Sequence, residues 1–144
     1  MPFAASFALA VSLALGGSQA GPVQASTAPM PAAQSVEDYV RGYFKEEPLL
    51  AEIAKCESHF KQFDKDGTVH RGVVNNQDVG VMQINEHYHL EVSQKLGIDI
   101  YSLQGNLAYG KYLYDKEGVQ PWISSGPCWK KSQAYKDLQS LALK

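Results

Sequence analysis

Residues 51 to 67 read "AEIAKCESHFKQFDKDG", so a titratable acid, Glu57, directly follows a potential cross-link, Cys56. Pro48 suits the first turn of a helix in which Leu50, Ile53, Ala54 and Glu57 recur at i, i+3, i+4 and i+7 and so share one face. Glu57 therefore falls on the apolar side, close to the C-terminal end. Desolvation and the negative end of the helix dipole both disfavour a carboxylate there, and a raised pKa is what a general acid working near neutral pH requires. The competing reading is a glutamate that faces solvent or pairs with a lysine. Helical phase alone does not separate the two.

A second carboxylate would extend the chemistry. Asp64, Asp66 and Asp78 lie in "DKDGTVHRGVVNNQDVGVMQIN", a stretch with turn signals at Asp66-Gly67 and Asn75-Asn76. Their neighbourhoods indicate turn duty rather than pairing with Glu57. Asp64, Asp66 and Gly67 match part of a calcium loop, but the glutamate required six residues after the glycine is Val73, so the pattern fails. His87 and His89 have no HExxH frame and no third ligand at a telling spacing, so neither a metal nor a cofactor is expected. His59, next to Ser58, reads equally as a packing residue and as a substrate contact.

These residues must be positioned by a small fold. The chain has 144 residues, enough for one domain with a core. Thirteen Lys and Arg against fifteen Asp and Glu give a net charge of -2 without blocks of one sign. Binding nucleic acid through bulk electrostatics needs a clustered basic face, and none is present. The first segment, "MPFAASFALAVSLALGG", has an apolar stretch of signal-peptide length and is too short for a membrane span, although it lacks Lys or Arg at its start. Residues 1–20 are read as an export signal and 21–34, rich in Pro and Ala, as a flexible linker. A transient membrane contact through the N-terminal segment is the other partner consistent with this reading.

The folded domain is expected over 35–144. Ser35, with Asp38 three residues on, forms a capping signal ahead of Val36, Tyr39, Val40, Tyr43 and Phe44 at helical spacing. "TVHRGVV" and "VGVMQI" are β-prone, and Gly97 reads as the C-cap of "HLEVSQKLG". A strong helix runs from about Ser102 to Glu117, with Leu103, Leu107, Gly110 and Tyr114 on one stripe and Gly118 closing it. Tyr109, Tyr112 and Tyr114 on this helix are read as core rather than groove. Tyr135, Leu138 and Leu141 mark a last helix. The class is mainly α, with a small β excursion.

"CESHF", "DVGVMQIN", "GNLAYGKYLYDKEG" and "PWISSGPCW", in this order, resemble the lytic transglycosylase and goose-type lysozyme superfamily over roughly residues 46 to 130. The resemblance implies a lysozyme-like α+β fold in which helices and a small sheet flank a groove for the glycan strands of peptidoglycan. Glu57 matches the catalytic acid. Ser58 and Gln83 match positions that orient the acid and line sugar subsites, Gly80 and Met82 shape the wall, and Asn106 matches a helix residue with either a structural or a sugar-contacting role. Many transglycosylases carry an Ala-Tyr-Asn-Ala-Gly element where this chain has "PWISSGPCW". Trp122 there reads either as a platform for a sugar ring or as core.

One enzyme carboxylate suffices for the transglycosylase reaction, in which the sugar's own 6-hydroxyl attacks and a 1,6-anhydro product forms. A hydrolase benefits from a second carboxylate that holds water or acts as nucleophile. The reading therefore favours a transglycosylase cutting the β-1,4 bond after N-acetylmuramic acid, with a hydrolytic muramidase and a non-catalytic peptidoglycan-binding module as alternatives. A monomer is expected, in the periplasm or at the cell exterior. Cys56 and Cys128 are the two cysteines, and an exported chain would oxidise them. Neighbouring helix positions point about 100° apart, so Cys56 can tie its helix to "SGPCW" while Glu57 faces the groove. Two buried free thiols are the alternative.

Overall fold

A computed structural model describes residues 34–143, and the expected export signal and nearly all of the expected linker lie outside them. The described chain is mainly helical with one two-stranded antiparallel sheet. In chain order the elements are α1 (Val36–Tyr43), α2 (Pro48–Ser58), β1 (Asp78–Val79), β2 (Ile84–Asn85), α3 (Glu86–Lys95), α4 (Leu103–Glu117), a 3-10 segment (Gln120–Ser125), α5 (Gly126–Trp129) and α6 (Gln133–Ala142).

The helix boundaries follow local chemistry. Ser35 caps α1 by accepting from the Asp38 amide at 3.0 Å, and its own hydroxyl donates to the Asp38 carboxylate at 2.6 Å. Pro48 opens α2, where its missing N–H has no helical partner to lose. Ser102 caps α4 by accepting from Gly105, and Gly118, at φ 63°, ends it in a conformation that L side chains rarely adopt. Arg41 of α1 reaches Glu37 on its own helix and Glu52 on α2, each at 2.8 Å, which sets the pair's register.

The core collects Val40 and Phe44 from the α1 region, Leu50, Ile53 and Ala54 from α2, and Leu107, Tyr109 and Leu113 from α4, with Met82, Trp122 and Trp129 between them. Burying a large apolar side chain contributes roughly 1.5–3 kcal/mol, so α2, through Leu49, Leu50 and Ile53, and α4, through Leu107, Tyr109 and Leu113, are anchored about equally. Gly110 lets Met82 pack against α4: a Cβ there would stand 3.0 Å from Met82 Cγ. By contrast α6 has the expected amphipathic spacing but no buried residue, and Leu138 and Leu141 are exposed.

The β-prone stretches behave differently from their composition. "TVHRGVV" contributes only isolated bridges, Phe63 with Val69 and Arg71 with Val79, and Val73 and Val74 are fully exposed. In "VGVMQI" the strand pattern breaks after Val79, because the backbone between β1 and β2 is hydrogen-bonded by side chains instead of a neighbouring strand. Asn106 Nδ2 donates to Val79 O and Asn106 Oδ1 accepts from Met82 N. Gln62 Oε1 accepts from Val81 N, Ser58 Oγ donates to Val81 O, and Trp122 Nε1 donates to Met82 O. Gly80, at φ 72°, makes this possible: a Cβ there would lie 2.5 Å from Asn106 Nδ2 and 2.6 Å from Gln62 Oε1.

Candidate active site

The end of α2 is shaped by two consecutive left-handed residues, His59 (φ 54°) and Phe60 (φ 62°), neither a glycine. Such a conformation costs roughly 1–2 kcal/mol per residue. Phe60 offsets part of it by packing into the core beneath the Arg41 guanidinium, 5.1 Å from the ring centroid. The sharp reversal stops the helix immediately after Ser58 and leaves Glu57 at a rim. A third left-handed non-glycine residue, Gln83 (φ 51°), closes the turn between β1 and β2. Strain of this kind gathers at functional sites, and here it flanks one cleft.

That cleft consists of two cavities, of about 260 and 450 Å³, both lined by Glu57, Asp78, Gln83 and Ser124. The smaller continues along Asn85, His89 and Glu117, and the larger along His70 and Asn75. Glu57 stands where the two meet. Its Oε1 accepts a 2.6 Å hydrogen bond from Ser125 Oγ, a residue 68 positions away, and its Oε2 makes no hydrogen bond with the described residues. Burial pushes the carboxyl's pKa up, Ser125 pulls it down, and the negative charge of Asp78 pushes it up. The expected direction is thus found, with desolvation as the leading cause.

Asp78 is fixed rather than free. Its Oδ1 accepts from Asn85 Nδ2 at 2.7 Å across the β1–β2 pair and from Asn75 Nδ2 at 3.3 Å. Asn85 Oδ1 is a buried acceptor with no donor among the described residues. Asp64 and Asp66 do serve turns: Asp64 accepts at 2.8 Å from the His70 ring, and Asp66 closes an Asx turn on Thr68. Asp78 serves a turn as well, through Asn75 and Asn85, and in addition lines both cavities with Glu57.

Of the residues read as substrate-contacting, Gln83 lies in the cleft, its Nε2 donating to Gly80 O at 2.9 Å. Ser58 and Asn106 do not. Ser58 is 3 % exposed and bonded to Val81 O, while Asn106 is 0 % exposed and spends its amide on Met82 N, Val79 O and Ile100 O. Neither can touch a glycan, and both hold the 79–83 turn instead. Trp122 is 2 % exposed, and its indole N–H is committed to Met82 O, so it forms cavity wall and core rather than a stacking platform. Tyr109 is core, as expected, and its hydroxyl meets His89 Nδ1 at 3.2 Å. Burial lowers the His89 pKa, which keeps a neutral imidazole in the cleft near neutral pH.

No family model, curated protein or solved structure matches the chain.

The cysteines are joined. Cys56 and Cys128 form a disulfide with Cα atoms 6.0 Å apart. It runs beside the Glu57–Ser125 hydrogen bond, since Cys56 precedes Glu57 and Cys128 lies three residues beyond Ser125. Two links therefore fasten the end of α2 to the 3-10 segment and α5. Ser125, Asn85 and His89 were not legible as site residues: Ser125 sits in a stretch with no periodic pattern, and its partner is remote in sequence. Among the described residues no three His, Cys, Asp or Glu side chains are grouped to hold a metal ion.

Proposed function

We propose that this chain is an exported, lysozyme-like enzyme that cleaves the glycan strands of peptidoglycan by the lytic transglycosylase reaction, with Glu57 as acid and then base. The observation that carries the reading is Glu57 itself: half-buried at the junction of two cavities, raised in pKa, and held through one oxygen by Ser125. Such a carboxyl can donate its proton to the bridging oxygen as the bond from that oxygen to the anomeric carbon breaks. The resulting carboxylate can then take the proton of the 6-hydroxyl as that oxygen bonds to the same carbon. An oxidised cysteine pair agrees with action outside the cytoplasm.

A second reading, hydrolysis, is favoured by Asp78. It shares the cleft with Glu57, and its carboxylate offers an acceptor for an attacking water. Mass spectrometry of fragments released from purified peptidoglycan tests both. Anhydromuramyl ends support the transglycosylase, and reducing ends, heavier by one water, support the hydrolase. Glu57→Gln should release neither. Fragments from that variant at the wild-type rate would overturn Glu57 as the acid, and binding without cleavage by the wild type would indicate a non-catalytic module.

A further inference from the structure

Ser125 presents a conflict of counting. Its Oγ lies 2.6 Å from Glu57 Oε1 and 3.1 Å from Trp122 O, both of them acceptors, yet a serine hydroxyl has one proton to donate. Only one of these bonds can be made at full strength at a time. The two acceptors also differ in need. Trp122 O has a second donor, Trp129 Nε1 at 3.0 Å, and stays satisfied when the serine turns away. Glu57 Oε1 has Ser125 as its one protein donor among the described residues.

We infer that Ser125 is a positioning residue whose hydroxyl rotates between the Trp122 carbonyl and Glu57 as Glu57 changes from acid to base. This rests on the reading of Glu57 as the acid. With Glu57 protonated, its oxygen is a weaker acceptor and the serine proton can rest on Trp122 O. When the proton leaves for the bridging oxygen, negative charge develops on the carboxylate and the serine proton swings to Oε1. A hydrogen bond to a charged acceptor is about twice as strong as one between neutral groups. When the carboxylate recovers a proton from the attacking hydroxyl, the serine returns. The serine proton never leaves its oxygen, so the only proton transferred is the one between Glu57 and substrate.

Trp129 is what makes the motion inexpensive. Its buried indole holds Trp122 O in both states, so neither position leaves a buried carbonyl unpaired. The disulfide keeps the distance short from the other side, because it ties the residue before Glu57 to the turn that follows Ser125. The other titratable groups facing the cleft are Asp78, His70, His89, Glu117 and Tyr88. Asp78 is the one whose charge acts on Glu57, and its position does not depend on Ser125.

The test is to titrate the Glu57 side-chain carboxyl by carbon-13 NMR in the full chain, for wild type, Ser125→Ala and Ser125→Thr, beside pH profiles of glycan cleavage. Removing the hydroxyl should move the Glu57 midpoint to higher pH and lower kcat about tenfold with KM unchanged, the loss expected when one hydrogen bond to a charged group is removed. Ser125→Thr, which keeps the hydroxyl, should restore both. An unmoved midpoint in a folded Ser125→Ala protein would overturn the proposal, even if activity fell. Because the titration needs no turnover, a moved midpoint in a protein that cleaves nothing would uphold the Ser125 linkage while sinking the enzymatic reading.

Discussion

Replacing Asn106 should damage the fold more than any exposed substitution, because its amide makes three buried hydrogen bonds: from Met82 N at 2.8 Å, to Ile100 O at 2.8 Å and to Val79 O at 3.0 Å. Each contributes about 1 kcal/mol net, and a Met82 amide left buried without an acceptor adds roughly 1–3 kcal/mol more. Asn106→Ala should therefore lose about 4–6 kcal/mol, a large share of the roughly 5–15 kcal/mol that a domain possesses. In a thermal melt followed by circular dichroism this corresponds to a fall in Tm of about 15 °C or more. Asn106→Asp sharpens the argument, since it keeps the acceptor for Met82 N but sets a carboxylate against the carbonyls of Val79 and Ile100. That variant should recover stability on acidification, when a proton restores one donor. A Tm for Asn106→Ala within about 3 °C of wild type would refute the claim that side-chain amides, rather than sheet pairing, hold the turn carrying Gln83.

The disulfide and the acid give further predictions. Replacing Cys56 and Cys128 together by serine removes a cross-link spanning 72 positions, worth about 4 kcal/mol in the chain-entropy model; urea unfolding should report a lower midpoint, and an unchanged one would show that packing alone fixes the end of α2. Glu57→Gln should stabilise the protein at neutral pH by about 1 kcal/mol, because it removes a carboxylate that burial disfavours. The sign follows from the raised pKa: the native state favours the protonated carboxyl, an advantage fully present below the ordinary glutamate range and lost as pH rises through the raised value. The variant's advantage should therefore grow as pH rises from the ordinary glutamate range through that value. A pH-independent difference in chemical denaturation would show that Glu57 is not desolvated as described.

The features legible in the sequence are those settled within a few residues. Ser35, Pro48, Ser102 and Gly118 announce helix ends by capping chemistry that needs no tertiary context, and α1, α2 and α4 begin or end there. Apolar spacing likewise put Glu57 on the inner face of α2. The sequence does not announce where a backbone group finds a partner far along the chain. "VGVMQI" alternates like a strand, yet its amides and carbonyls go to Gln62, Asn106, Ser58 and Trp122, residues 19 to 40 positions away. The same long range hid Ser125. The resemblance matches Ser58 to a cleft position and leaves Asn106 either structural or sugar-contacting, whereas buried backbone that must be satisfied draws both side chains inward.

This arrangement bears on how the cleft can hold its shape without a sheet behind it. Three buried polar side chains, Ser58, Gln62 and Asn106, come from three places: the last residue of α2, the loop after it, and the first turn of α4. All three bond to the five residues from Val79 to Gln83 or to their immediate support, so a shift of α4 relative to α2 would break them together. Trp122 bonds the same segment from the 3-10 side, and Ser125, three residues on, bonds Glu57. The turn with Gln83 and the acid opposite are thereby referred to one frame, and the disulfide closes that frame at the remaining corner. The proposed role of Glu57 as an acid depends on that frame, because a reacting group tolerates misplacement of about 1 Å poorly. The polar residues that never reach the cleft therefore contribute as much to its geometry as those that line it.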